Sequence, residues 1–182
     1  MKELSLNILD ITENSVKAGA GLTEIKISET ADTLTITITD NGSGMTDEVL
    51  KTVADPFYTT RTTRKVGMGI PLLKLEAEQT GGNLEISSKH ISNFPDNHGT
   101  VVKALFYKNH IDFTPLGDVV STITTLIQGH PDTDFFFIHI KEDNEVSLDT
   151  RELREVLEGV PLNTYEVIKW IEENLKEQYE NL

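Results

Sequence analysis

A chain of 182 residues, 37% hydrophobic and 25% charged, has the length of one ordinary domain plus an extension and the mix of a soluble globular protein. It holds no apolar run of membrane-spanning length, no secretory start and no cysteine, so membrane insertion, a disulfide framework and a thiolate metal site are excluded and a cytoplasmic protein with no membrane partner is expected. The net charge of −14 is uneven: residues 1–110 carry 11 Lys and Arg against 14 Asp and Glu, and residues 111–182 carry 5 against 16, which argues against a nucleic-acid partner and sets a boundary near Ile111.

Residues 4–18 are predicted as a helix, with Leu4, Ile8, Ile11, Ser15 and Ala18 on one face and Gly19 and Gly21 ending it. Asp10, Asn14 and Lys17 recur at spacings of four and three and share one side. A carboxylate, a carboxamide and an ammonium on one stripe suit a hydrated metal beside a phosphate; they equally describe a solvated polar face. Residues 24–28 and 33–39 follow as two strands rich in β-branched side chains. The second runs into Asp40-Asn41-Gly42-Ser43-Gly44-Met45, an acid fixed at a strand end before two glycines. By itself that run also reads as a glycine-rich turn.

Thr46 is expected to cap a short helix over 47–53. Residues 54–67 show no periodicity and hold three cations within five positions, so they read as a loop. Gly67-Met68-Gly69 then opens a helix over 70–80, where glycines let phosphate oxygens reach uncommitted amides. Strands are predicted over 83–88 and 99–107. Beyond Ile111, Thr114 and Pro115 are expected to start a helix that Gly129 ends, and 134–140 to form a strongly apolar strand, central or covered on both faces. A short helix from Asp149 to Gly159 and a last one over 164–179, capped at Asn163, complete the chain.

The order of polar helix, strand pair, D-x-G-x-G, cationic Phe-Tyr loop, G-x-G at a helix start and Gly-Thr strand resembles the GHKL ATPases, the Bergerat nucleotide-binding fold. The resemblance spans about residues 1–108 and is nearest to the ATP-binding domain of sensor histidine kinases. It implies ATP and Mg²⁺ as cofactors and assigns roles by position. Asn14 would hold Mg²⁺ and Lys17 lie near the phosphates. Asp10 stands where hydrolysing members carry a Glu general base, and is one carbon shorter, which points away from strong hydrolysis. Asp40 would accept the adenine amino group, with Gly42 and Gly44 completing its box. Phe57 and Tyr58 resemble the F box of a short lid. Arg61, Arg64 and Lys65 would neutralise phosphates, Gly67 and Gly69 match the second glycine box, and Thr100 after Gly99 the third. Ile38, Met45, Met68, Ile70 and Leu72 fit an adenine slot or ordinary core equally well.

The fold implied is an α/β two-layer sandwich, a mixed, mainly antiparallel sheet with helices on one face, plus a C-terminal α/β extension of one strand and three helices. The domain spans 1–110 and the extension 111–182. None of His90, His98, His110, His130 or His139 precedes an acid on a long amphipathic helix, so the chain lacks its own phospho-acceptor. A protein kinase acting on a His or Ser of a partner is the reading that follows; an ATP-gated protein-binding module is the alternative. The Glu-Asn-Ser…Ala-Gly-Ala run also matches mismatch-repair ATPases, which the acidic charge places last.

Overall fold

A computed structural model describes residues 3–55 and 68–182. Its framework is one six-stranded sheet in the order β3-β4-β2-β1-β5-β6. The strands are β1 (Leu22–Glu29), β2 (Thr33–Asp40), β3 (Asn83–Lys89), β4 (Gly99–Tyr107), β5 (Asp134–Lys141) and β6 (Asn144–Asp149). Four pairings are antiparallel and β1–β5 is parallel, so the sheet is mixed and mainly antiparallel. Alternation sets its faces. Ile25 and Ile27, Leu34, Ile36 and Ile38, Val102, Ala104 and Phe106, and Phe135 and Phe137 all turn to the covered side. Each such Val, Leu, Ile or Phe side chain contributes about 1.5–3 kcal/mol on full burial.

The helices α1 (Leu4–Lys17), α3 (Gly69–Gln79), α4 (Val119–Gly129) and α6 (Tyr165–Tyr179) close that face, with the shorter α2 (Asp47–Thr52) and α5 (Thr150–Leu157) at the ends of strands. Their apolar stripes join the sheet in one core. The Thr46 side chain caps α2 by accepting from the Val49 amide, and the Asp149 side chain caps α5 by accepting from the Arg151 amide.

Three expectations about the C-terminal segment need correction. The helix expected from Pro115 begins at Val119. Residues 114–118 are recruited elsewhere: the Leu4 and Ser5 amides, orphans at the start of α1, donate to the carbonyls of Pro115 and Leu116. Gly117 at φ 79 turns the chain, and Asp118 then caps α4 by accepting from the Ser121 amide. The segment adds two strands rather than one. β6 has two inward apolar residues, Val146 and Leu148, and is held as a hairpin to β5 through Glu142 in the left-handed region. α6 is preceded by Thr164 as its first cap residue, not Asn163. β5 lies inside the sheet, and one of its faces is covered: Phe136, Ile138 and Ile140 remain half-buried on the open side.

His139 joins β1, β5 and α6. It is 2% exposed, with Nε2 3.2 Å from Glu29 and Nδ1 3.0 Å from the Tyr179 hydroxyl. Lys108 reaches the other Glu29 oxygen at 2.7 Å. Burial lowers the His139 pKa from its ordinary 6.5, against the pull of Glu29. The neutral ring thus donates from Nε2 to the carboxylate and accepts the tyrosine proton at Nδ1. Burial raises the Glu29 pKa, but Lys108 and His139 outweigh it and the net shift is downward. Burial raises that of Tyr179. On acidification below 6.5 the unfolded chain takes up the histidine proton first, so stability present above that pH is lost as pH falls. Glu29 acts in the same direction below 4.5. The melting-temperature gap between wild type and His139→Gln is therefore expected to be smaller at about pH 5 than at about pH 7.5. A gap that is constant or widens in acid refutes this account.

Candidate functional site

The row Leu34, Ile36, Ile38 ends in Asp40, so the β2 alternation carries a carboxylate to the rim of the covered face. Thr100 on β4 and Thr23 on β1 are its direct cross-strand neighbours. The carboxylate is held at both oxygens. Oδ2 accepts from the Ser15 hydroxyl at 2.7 Å and Oδ1 from the Gly42 amide at 2.9 Å. Ser15 stands on the buried stripe of α1, next to Asn14, so the second half of α1 lies against the end of β2.

The turn after Asp40 is pinned on every side. Asn41 Oδ1 accepts from the Gly21 and Leu22 amides, and the Ser43 amide donates to the Ala18 carbonyl. His98 Nδ1 donates to the Gly42 carbonyl. Gly42 is buried, and a Cβ there would stand 3.0 Å from both Ala18 Cβ and Asp40 Oδ1. Gly44 takes φ 70 with the Lys89 carbonyl 2.0 Å from where a Cβ would lie. Met45 donates its amide to Ser88 Oγ at 2.7 Å, and Ser88 is 2.8 Å from the Thr100 hydroxyl and 3.1 Å from the Gly99 carbonyl. The two glycine boxes around Asp40 are thus joined through Ser88.

On the other side, α1 meets the start of α3. A Cβ on Gly69 would come 2.9 Å from Asp10 Cβ, so glycine is what lets the helices approach there. Asp10 and Lys17 are exposed, as is Met68 at half its surface. Met68 precedes α3 without a side-chain cap, which leaves the first-turn amides of that helix to other acceptors. The amide nitrogen of Asn14 is buried with no hydrogen-bond partner among the described residues. Deeper in the same helix pair, Asn7 Nδ2 donates to buried Glu76 at 2.5 Å.

Asp40, Gly42, Gly44, Met45 and Thr100 are therefore one connected cluster, tied to α1 through Ser15; Asp10 meets Gly69 where α1 faces α3, and Asn14 stands one turn further along α1. Phe57, Tyr58, Arg61, Arg64, Lys65 and Gly67 fall outside the described residues. Ile38 and Ile70 are core at 2% exposed. Ser15, Ser88 and His98 join the site without a site role in the sequence reading, where Ser15 counts only as part of a buried helical face and His98 only as a histidine that is no phospho-acceptor. A hydroxyl within an apolar helical stripe, and polar residues flanking the Gly99 strand, were the available signals.

Among the described residues no His, Asp and Glu group is arranged to hold a metal ion by itself. A carboxamide plus phosphate oxygens is nevertheless a donor set suited to Mg²⁺, a hard cation that keeps several waters and leans on substrate phosphates. The unpartnered Asn14 Nδ2 is a donor and suits a phosphate oxygen, while the carboxamide oxygen is the atom that would face the ion. No described helix is long and apolar enough to cross a membrane.

Solved structures share the fold. The Aquifex aeolicus MutL ATPase domain complexed with ADP superposes with a TM-score of 0.56 at 16% identity, over 87% of this chain and 70% of that one. The N-terminal domain of a DNA repair protein gives 0.56 at 17% identity, over 82% and 53%. The same MutL domain with a K252N mutation gives 0.52 at 14%, over 87% and 68%. No curated protein matches the chain significantly in sequence. Residues 2–110 match the model of the histidine kinase-, DNA gyrase B- and HSP90-like ATPases, and the chain belongs to that family.

Proposed function

We propose that the chain binds Mg·ATP between Asp40, the second half of α1 and the start of α3, and transfers the γ-phosphoryl group to a His or Ser of a separate protein. The observation that carries this is the Asp40 carboxylate, fixed at both oxygens on the rim of the covered sheet face, with Ser15 linking it to the helix that bears Asn14. A fixed acceptor suits the adenine amino group, and the ADP in the MutL structure supports an adenine nucleotide. The first-turn amides of α3 and the Lys17 ammonium would take phosphate charge, and Asn14 would hold Mg²⁺. Bound there, the ion would supply charge neutralisation across the phosphates. The protein's part is positioning: the acceptor forms its bond to phosphorus as the bond to the bridging oxygen breaks and ADP leaves.

Incubation with γ-labelled ATP, Mg²⁺ and fractionated extract of the host cell is expected to label a protein other than this chain. Absence of label in every fraction overturns the transfer. A second reading, an ATP-gated binding module without catalysis, is favoured by Asp10, which lacks the reach of a glutamate base. It requires that partner affinity differ with and without Mg·ATP.

Asn14→Ala separates metal from base recognition. Its affinity for Mg·ATP is expected to fall roughly tenfold or more, the scale of one interaction with a charged group. Affinity for ADP measured with a chelator should change little. Equal losses in the two calorimetric titrations refute the Mg²⁺ assignment.

A further inference from the structure

The four long helices close one side of the sheet and leave the other side open among the described residues. Strand register fixes which side chains are neighbours there. Phe136, Glu24 and Thr39 stand side by side in one row across β5, β1 and β2, and Ile138, Lys26 and Thr37 stand in the next. Directly opposite residues on one sheet face lie within contact distance of each other, so these six form one continuous patch at the middle of the sheet. The two apolar residues and the two threonines are half-buried, and Glu24 and Lys26 are exposed. Neither of these two charges has an ion-pair partner among the described residues.

The open face is neutral in a chain of net charge −14. Its carboxylates Asp149 and Asp134 are paired with Arg151 and Arg154. The others that the strands place on it, Glu24, Glu85 and Glu145, are matched by Lys26, Lys89 and Lys103. The face is also complementary to itself. A twofold axis that crosses the strands between the two rows lays each row on the other row of a second copy. Glu24 then meets Lys26 of the second copy, Lys26 meets its Glu24, and Phe136 meets its Ile138. An axis along the Lys26 row would instead set lysine on lysine. Six strands about 4.8 Å apart, each rising about 3.3 Å per residue, span roughly 29 by 26 Å over eight residues. With the half-row offset, about 600–750 Å² of each copy is covered, and a specific dimer needs about 600–1,000 Å² per copy.

We propose that the open face of the sheet is an interface between two copies of this chain, packed face to face about a twofold axis between the Glu24 and Lys26 rows. Aligned packing of the two faces, about 10 Å apart, buries Phe136, Ile138, Thr37 and Thr39 of both copies and closes two reciprocal Glu24–Lys26 pairs. Asp40 turns to the covered side of the sheet, so both nucleotide sites stay open in the pair. The proposal goes beyond the nucleotide reading and does not depend on it.

Sedimentation equilibrium of the full chain without nucleotide is expected to show a reversible monomer–dimer transition between roughly 1 and 200 μM, at the weak end for an interface of this area. Glu24→Lys and Lys26→Glu should each weaken the dimer at least about tenfold, because each sets like charges against one another at both pairs. Both side chains are exposed, so circular dichroism and melting should be unchanged. The double variant Glu24→Lys/Lys26→Glu reverses both pairs and should dimerise within about threefold of wild type. An equimolar mixture of the two single variants restores opposite charge at both pairs and should form a heterodimer of similar strength. Monomer at every concentration overturns the proposal. So does a dimer that the single swaps leave unchanged, which would use another surface, and so do a double variant and a mixture that associate as weakly as the single variants.

Discussion

Asp40→Asn is expected to weaken Mg·ATP binding by about 1.5–3 kcal/mol, the scale of a hydrogen bond to a charged group, with the fold intact. The carboxylate accepts at both ends, from Ser15 at Oδ2 and from the Gly42 amide at Oδ1. A carboxamide accepts at one end. Facing its NH₂ toward Gly42 would set two donors against each other, so the amide oxygen must stay there. The NH₂ then points at Ser15, whose hydroxyl can rotate to accept it. The protein therefore tolerates the exchange, and the base does not: an adenine amino group directed at Oδ2 meets a donor in place of an acceptor. A purine nucleoside triphosphate lacking the 6-amino group supplies the control. It should bind wild type more weakly than ATP does and should lose little further in the variant. Unchanged ATP affinity by calorimetric titration would remove the adenine assignment, and with it the main support for the nucleotide reading.

What could be read from the sequence was what depends on near neighbours. The alternation of β2 runs unbroken from Leu34 to Asp40, so the residue and its sheet face followed from counting. Asp10 and Asn14 share a helical stripe for the same reason. The features that were missed depend on partners distant in the chain. Thr114-Pro115 is a sound local helix start, yet the carbonyls of Pro115 and Leu116 serve the first amides of α1, more than a hundred residues earlier. β6 is weakly apolar; Gln178 on α6 satisfies both the amide and the carbonyl of Ser147 at its outer edge. Spacing alone makes Ser15 part of an apolar stripe, and its role depends on Asp40, 25 residues further on. His98 acts on Gly42, 56 residues before it. The parallel seat of β5 beside β1 could not be read from either strand alone, since pairing direction leaves no mark on side-chain alternation.

Gly99→Ala is expected to have the largest effect on stability of any single methyl added near the site. Gly99 takes φ 136, which L side chains rarely adopt, and a Cβ there would lie 1.9 Å from the Asp40 carbonyl oxygen. That neighbour is backbone in a paired strand, so neither partner can turn aside as a flexible side chain would. Relief requires the start of β4 to move away from the end of β2. The Asp40–Thr100 register and the contacts of Ser88 with Gly99 and Thr100 open with it. Strain of this kind costs about 1–3 kcal/mol before the contact is counted. A total of about 3 kcal/mol would lower Tm by about 6–12 °C in a chain of this size. Gly129 provides the matched control. It ends α4 without a positive φ and has nothing within 4 Å of an added Cβ. Gly129→Ala should be neutral or stabilise by up to about 1 kcal/mol, because alanine restricts the unfolded chain. If the two variants melt together, Gly99 is not the close contact between β4 and β2 that the geometry indicates. If Gly99→Ala is destabilised while its folded fraction binds Mg·ATP normally, the glycine serves the sheet and the position of Asp40 does not depend on it.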